Sequence, residues 1–285
     1  TYQTPEYLGQ GWDATDSLWF YNTTQGSALL PYDFLLALEQ PTNKKRFNCK
    51  RNNENAAWFL CPKNVDWFRY LPQNKTYFNP DALPVGFVKE IYEDKDYVGY
   101  TCAACHTAQI NFKNPEAQKS RALRIDGGPA MADMVGFLTD LTKAMKDTLP
   151  DPEKDKNQRF DDFVARVVAL KNNYKSTTKN NKKIRAEIAA DLQKWTDARE
   201  LYNLVNRSTH KGRRVEYGYA RLDAFGRIYN RVIQHTINRE QVAKTLGLVT
   251  VKKNGVSENL LAPEEIEEVL RNVGKPGDIV LRDDE

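Results

Sequence analysis

The sequence predicts a mainly α protein with long irregular loops, organised as a single domain over residues 1–285. Apolar residues recur at helical spacing in several segments, which is typical of amphipathic helices. By contrast, residues 41–98 are rich in proline and aromatic residues and have no helical period, which indicates packed loops around a rigid object. A third feature, the pentapeptide Cys102-Ala103-Ala104-Cys105-His106, lies directly after these loops.

The predicted helices begin near the N-terminus. Asp13 is a candidate N-cap for a helix over Ala14 to Thr23, and Pro31 opens a second helix that ends before Pro41. The longer helices that we expect are an amphipathic helix starting at Pro129 and helices at about 157–170, 181–206, 222–237 and after Pro263.

The pentapeptide is the attachment signature of a c-type haem. Its two thiols can each bond to a vinyl group of one porphyrin, and His106 can then ligate the iron as the proximal ligand. A zinc ribbon would need a second Cys pair, which the sequence lacks, and a thioredoxin-like dithiol would lie in a βαβ setting, which the flanking residues do not suggest. We therefore expect one covalent haem c in a cytochrome c-like haem core.

Two further features concern the haem environment. Arg124 is a candidate partner for the haem propionates, because a guanidinium pairs with carboxylates in a bidentate way; an ordinary surface arginine is the alternative. Five residues could supply the sixth iron ligand: Met131, Met134, Met145, His210 and His235. The three Met residues share an apolar helical stripe, which is typical of core packing, so both a filled and an open distal site are compatible with the sequence.

Charge and cysteine usage narrow the partners and the compartment. The chain has 42 Lys and Arg residues against 38 Asp and Glu, and its basic clusters are scattered among acids, so we expect no nucleic-acid partner. No apolar run approaches the roughly 20 residues of a membrane span. Cys49 and Cys61 favour a disulfide over two unrelated buried thiols, and a disulfide needs an oxidising compartment. Haem attachment in bacteria also takes place outside the cytoplasm, so we expect a periplasmic or secreted protein.

Six blocks between about residues 12 and 232 resemble a known family. The blocks are Gln25-Gly26-Ser27, Pro31 to Gln40, Leu83 to Val88, Gly99 to Thr107, Leu123 to Gly127 and Arg221 to Arg227. They are similar to the N-terminal half of the rubber oxygenase (latex-cleaving) dihaem c-type cytochromes, which are distantly related to the dihaem cytochrome c peroxidases.

The resemblance implies an N-terminal haem with an open distal face. In latex-cleaving members this haem binds dioxygen under an aromatic lid and cleaves the double bonds of polyisoprene, and Phe225 is the position that would supply the lid here. The family carries two haem motifs, whereas this sequence carries one. The chain is thus either a fragment or processed half of a dihaem protein, or a single-haem relative with a different task.

Two functions follow from these observations. The first is a haem-dependent oxygenase or peroxidase that acts on a small molecule or a hydrophobic polymer. The second is a six-coordinate electron-transfer cytochrome c or redox subunit. The expected partners are a redox protein or a second haem domain. Chain length, aromatic content and the resemblance favour the enzyme.

Overall fold

The computed structural model describes residues 5–45, 47–51, 54–113, 120–153, 157–175, 182–205, 208–210 and 213–215. The chain divides into two compact units, which consist of residues 1–199 with 218–222 and of residues 200–217 with 223–285. The described part of the second unit contains the end of the helix Lys182–Val205 and a short hairpin. The organisation as a single domain stays a prediction.

The described residues contain both helices and strands. The helices are α1 (Ala14–Asn22), α2 (Tyr32–Ala37), α3 (Pro62–Trp67), α4 (Met134–Lys146), α5 (Gln158–Leu170) and α6 (Lys182–Val205). The strands are β1 (Glu6–Tyr7), β2 (Leu30–Pro31), β3 (Cys49–Arg51), β4 (Glu54–Ala56), β5 (Phe87–Tyr92), β6 (Lys95–Tyr100), β7 (Thr107–Lys113), β8 (Ser120–Asp126), β9 (Ser208–His210) and β10 (Arg213–Val215). The prediction of a mainly α, cytochrome c-like fold is therefore wrong, because the described residues form an α/β fold with several small sheets.

Two three-stranded sheets frame the pentapeptide. The first has the order β2-β6-β5 and is antiparallel, with Phe87 opposite Tyr100. The second has the order β1-β8-β7, in which β1 runs parallel and β7 antiparallel to β8, with Thr107 opposite Asp126. Since β6 ends at residue 100 and β7 begins at residue 107, the pentapeptide forms the connection between the two sheets.

The turn between β5 and β6 explains why these strands were not predicted. Its two central residues, Glu93 and Asp94, both have positive φ angles of 47° and 59°. Such a turn normally carries Asn-Gly or Asp-Gly, which would have marked a hairpin in the sequence. The segment 41–98, predicted to be irregular, contains β3, β4, α3, β5 and most of β6.

Local signals placed several helices correctly. The Asp13 side chain caps α1 by accepting hydrogen bonds from the backbone N–H groups of Thr15 and Asp16, at 2.7 and 3.0 Å. Pro31 is the N-cap of α2. The predictions at 157–170 and 181–206 match α5 and α6 closely. The predicted helices at 222–237 and after Pro263 lie outside the described residues.

The helix predicted to start at Pro129 begins later. Asp133 is its N-cap and accepts a hydrogen bond from the backbone N–H of Gly136 at 2.8 Å, so α4 starts at Met134. Residues 129–132 consequently form a loop rather than a first helical turn. No helix in the described part of the chain combines the length and the apolar content needed to cross a membrane.

Phe137 of α4 lies at the centre of an aromatic core. Its ring centroid is 5.2 Å from that of Phe59, 5.6 Å from Phe68, 5.0 Å from Tyr70 and 5.3 Å from Phe87. These edge-to-face and tilted contacts are favoured by the ring quadrupoles beyond the burial of apolar area. The cluster fixes α4 against β5 and against the segment that follows α3.

The thiols of Cys49 and Cys61 lie in hydrogen-bonding contact, although both cysteines are unbonded in this structure. Cys49 belongs to β3, and Cys61 directly precedes α3. Burial, together with the hydrogen bond to Cys61, raises the pKa of the Cys49 thiol to about 12. The thiol contact supports the predicted disulfide, which stays a prediction.

We predict that the Cys49–Cys61 disulfide forms when the protein is placed in an oxidising compartment. On a loop-entropy model its reduction should lower the free energy of unfolding by about 2–4 kcal/mol. The measurement is a thiol titration of the unfolded, unreduced Cys102→Ala/Cys105→Ala protein, in which only these two cysteines can react, followed by denaturant unfolding with and without reductant. Two free thiols in that titration would contradict the prediction.

We also predict that Gly86→Ala is strongly destabilising. Gly86 has φ of +90°, and a Cβ there would lie 2.2 Å from Cα of Ala104, so both the conformation and the space exclude a side chain. We expect a loss of about 3 kcal/mol in the free energy of unfolding. Gly26→Ala is the matched control, because Gly26 has φ of +72° but no atom within 4 Å of such a Cβ. The control should lose only about 1 kcal/mol, and equal losses in denaturant unfolding would refute the role of close packing.

Candidate haem-attachment site

The pentapeptide folds as one tight turn. Residues Cys102–Ala104 form a short 3₁₀ segment, and the backbone N–H groups of Cys105 and His106 both donate to the carbonyl oxygen of Cys102, at 3.2 and 3.0 Å. These i→i+3 and i→i+4 bonds bring both thiols and the imidazole onto a single turn of backbone.

The turn exposes two of its five side chains and buries the other three. Cys102 and His106 are exposed, and Cys105 is 9% exposed, whereas Ala103 and Ala104 are buried. Ala103 packs in a cluster with Tyr21 and Val85. The two alanines therefore anchor the turn in the core, while a thiol and the imidazole face solvent.

Backbone hydrogen bonds hold the turn on both sides. The N–H of Thr101 donates to the carbonyl of Gly86 at 3.0 Å, next to the first sheet. After β8, the N–H of Gly127 donates to the carbonyl of His106 at 2.8 Å, and that of Ala130 donates to Cys105 at 2.9 Å. The turn is thus fixed to elements that precede it and follow it in sequence.

This arrangement fits a covalently attached haem. In such a site the thiols bond to the porphyrin and the iron takes only the imidazole of His106 from this turn. The chemistry therefore needs no cluster of protein ligands, and within the described ranges no group of three or more His, Cys, Asp or Glu side chains could hold a metal ion. The exposed edge of the turn presents Cys102 and His106, whereas Cys105 is buried, so attachment of both sulfur atoms would require Cys105 to become accessible.

Arg124 lies inside the protein rather than on its surface. Its Nε and Nη2 groups donate to Oε1 of Gln109 at 3.2 and 2.8 Å, and Nη2 also donates to the carbonyl of Pro72 at 3.3 Å. Its guanidinium also lies 5.9 Å from the ring centroid of Tyr7. Among the described residues no carboxylate forms an ion pair with Arg124. Its pairing with a haem propionate stays a prediction.

A cleft of about 240 Å³ adjoins the inner side of the turn. The turn contributes Ala103 and Ala104 to its lining, and β7 contributes Thr107, Gln109 and Asn111, which share one face of the strand. The other lining residues are Asp66, Arg69, Tyr70, Leu71, Val85, Ala130, Met131 and Ala132. The sequence signal for this site was the alternation of polar residues in β7, which the prediction of a mainly α fold overlooked.

The described candidates for the sixth ligand lie in different environments. Met134 and Met145 are fully buried in the core, as expected for packing residues. Met131 precedes α4, is 49% exposed and lines the cleft, so the prediction that it shares their helical stripe is wrong. His210 belongs to β9 in the second unit. His235 and the predicted lid residue Phe225 lie outside the described residues.

Comparisons with known proteins identify a partial relative and no family. No family model matches the chain, and no solved structure matches it. A curated protein of Sinorhizobium fredii (strain NBRC 101917 / NGR234), described as uncharacterized protein y4iJ, is 28% identical over 254 residues. The match covers 82% of this chain but 37% of that protein, so this chain corresponds to only part of its length.

Proposed function

We propose that this chain is a c-type haem protein. The observation that carries this proposal is the turn at residues 102–106, which presents Cys102 and His106 to solvent, with Cys105 beside them, while its alanines fill the core. A bound haem would supply redox and dioxygen chemistry that amino-acid side chains lack.

Each residue of the turn has a distinct role in this proposal. Cys102 and Cys105 would hold a haem through two thioether bonds, each formed by redox-neutral addition of S–H across a vinyl double bond. His106 would supply a neutral imidazole nitrogen to the iron. Backbone hydrogen bonds at Cys105 and His106 fix the turn, so the backbone of His106 has a defined position relative to both cysteines. We assign Arg124 to the haem propionates as a supporting contact.

We further propose a periplasmic or secreted oxidoreductase whose distal haem face is open. Met134 and Met145 are buried in the core. Met131 lines a cleft, and none of Cys102, Cys105 and His106 is among the residues that line it. The resemblance to the rubber oxygenases supports the same conclusion and assigns the aromatic lid to Phe225. An oxygenase or peroxidase needs such access to the iron, whereas an electron-transfer cytochrome needs a sixth protein ligand.

We predict one covalent haem per chain when the protein is exported together with a haem-attachment system. Haem staining after denaturing electrophoresis should follow the polypeptide, and Cys102→Ala/Cys105→Ala should abolish the stain. Cys49→Ala/Cys61→Ala is the matched control, because it also removes two thiols but leaves the turn intact, and it should retain haem. A colourless wild-type protein, or equal loss of haem in both double variants, would contradict the proposal.

We predict that carbon monoxide and cyanide reach the iron. Either ligand should shift the Soret band of the wild-type protein without denaturant, because no Met or His side chain would have to be displaced. His106→Ala should keep its thioether-bound haem but change the resting spectrum, whereas His210→Ala should leave the spectrum unchanged. A wild-type spectrum that neither ligand moves would instead select the electron-transfer cytochrome.

A further inference from the structure

The sheet of β1, β8 and β7 carries apolar side chains on its solvent-facing side. Paired residues of neighbouring strands lie on the same face of a sheet, and successive residues of a strand alternate between the two faces. The strand registers therefore place six apolar side chains on one face, which we call the outer face: Leu8, Ala108, Ile110, Phe112, Leu123 and Ile125. Of these, Leu8 is 44%, Ile110 53% and Phe112 40% exposed.

The opposite face of this sheet is polar but points into the protein. Thr107, Arg124 and Asp126 are buried on it, and Nη2 of Arg124 donates to Oε1 of Gln109 on the same face at 2.8 Å. An amphipathic sheet normally has the reverse arrangement, because its apolar face is the one that packs against another layer. The exposure of the outer face therefore indicates a surface that another layer covers.

The charges on the outer face cancel. Among the described residues of the three strands, its charged side chains are Glu6 and Arg121, and Nε of Arg121 donates to Glu6 at 2.8 Å. The Arg121 guanidinium also lies 5.7 Å from the ring centroid of Phe112, at the rim of the apolar side chains. Two such faces can approach each other without net repulsion, whereas a strongly acidic or basic partner would find no complementary charge here.

We propose that the outer face binds the outer face of a second copy of this chain, so that the two sheets pack as the layers of a β-sandwich. An isologous contact requires a surface that is complementary to itself, and an apolar face without net charge meets this requirement. Sheets that pack face to face interdigitate their apolar side chains at a separation of about 10 Å. This interaction goes beyond the proposed haem function and does not require haem.

The size of the outer face determines how tightly two copies can bind. The two long strands, β7 and β8, each contain seven residues. With β1 beside β8, the face covers about 300 Å², at ~4.8 Å between strands and ~3.4 Å per residue. A standard interface buries about 800 Å² on each partner. We therefore expect a weak, reversible dimer with a Kd of about 10–100 μM.

The test is sedimentation velocity of the full-length wild-type protein over concentrations that span this Kd. The protein should shift from monomer to dimer without forming larger species. Ile110→Lys should raise the Kd about tenfold or more, because each copy then brings a charge into the apolar contact. Leu8→Lys should act in the same way, so the result does not depend on one substitution.

Ile91→Lys is the matched control. Ile91 is also an exposed strand isoleucine, at 72% exposure, but it belongs to β5 in the other three-stranded sheet. This variant should dimerise like the wild-type protein. At concentrations below the Kd, both isoleucine variants should melt at the wild-type temperature, because each site is at least half exposed in the monomer.

The same measurement on the Cys102→Ala/Cys105→Ala protein separates a second copy from haem as the occupant of the outer face. Equal dimerisation with and without these cysteines supports the proposal, whatever the haem stain shows. Dimerisation of the double variant alone would assign the face to haem and overturn the proposal. It is also overturned by a wild-type monomer at every concentration, by larger aggregates in place of a dimer, by unchanged association of both Lys variants of the outer face, or by an equal loss in Ile91→Lys.

Discussion

The close approach of Gly86 to Ala104 is the constraint on which the centre of the molecule depends. Gly86 directly precedes β5, and Ala104 lies in the turn that follows β6, so the contact closes the end of the first sheet against the corner between the two sheets. No Cβ fits between these backbones, and the side chains at positions 103 and 104 must be small. The two unspecified positions of Cys-x-x-Cys-His are therefore set by packing, while Cys102 and His106 are exposed.

Local signals for helices could be recognised in the sequence, whereas strand pairings between distant residues could not. The capping box of Asp13 and the apolar period of α5 each lie within one helix, so the sequence alone placed these helices. The pairing of β1 with β8 joins Glu6 to Leu123, and no local pattern records such a contact. The hairpin of β5 and β6 turns through Glu93 and Asp94, which are atypical for that turn. The helices with local signals were thus predictable, but the β-strands on both sides of the pentapeptide were not.

The burial of Arg124 could not be predicted without recognising the two-residue period of strand β8. The predicted mainly α fold assigns no helix or strand to residues 120–126. Arg124 could then be either a partner of a haem propionate or an ordinary surface residue. As strand β8 they alternate, and Ala122, Arg124 and Asp126 are the buried members of the series. The buried guanidinium then needs polar partners, which it finds in Gln109 and the carbonyl of Pro72. Met131 is the opposite case, because the N-cap at Asp133 excludes it from the helical stripe to which the sequence assigned it.

The pentapeptide turn and the cleft beside it share one backbone element. Thr107 follows His106 directly and starts β7, so the outer edge of the turn carries the imidazole and its inner side borders the cleft. The carbonyl of His106 is held by Gly127 and that of Cys105 by Ala130, which limits movement of the turn as a whole. The backbone of His106 is therefore positioned by the packing of Ala103 and Ala104 and by these hydrogen bonds.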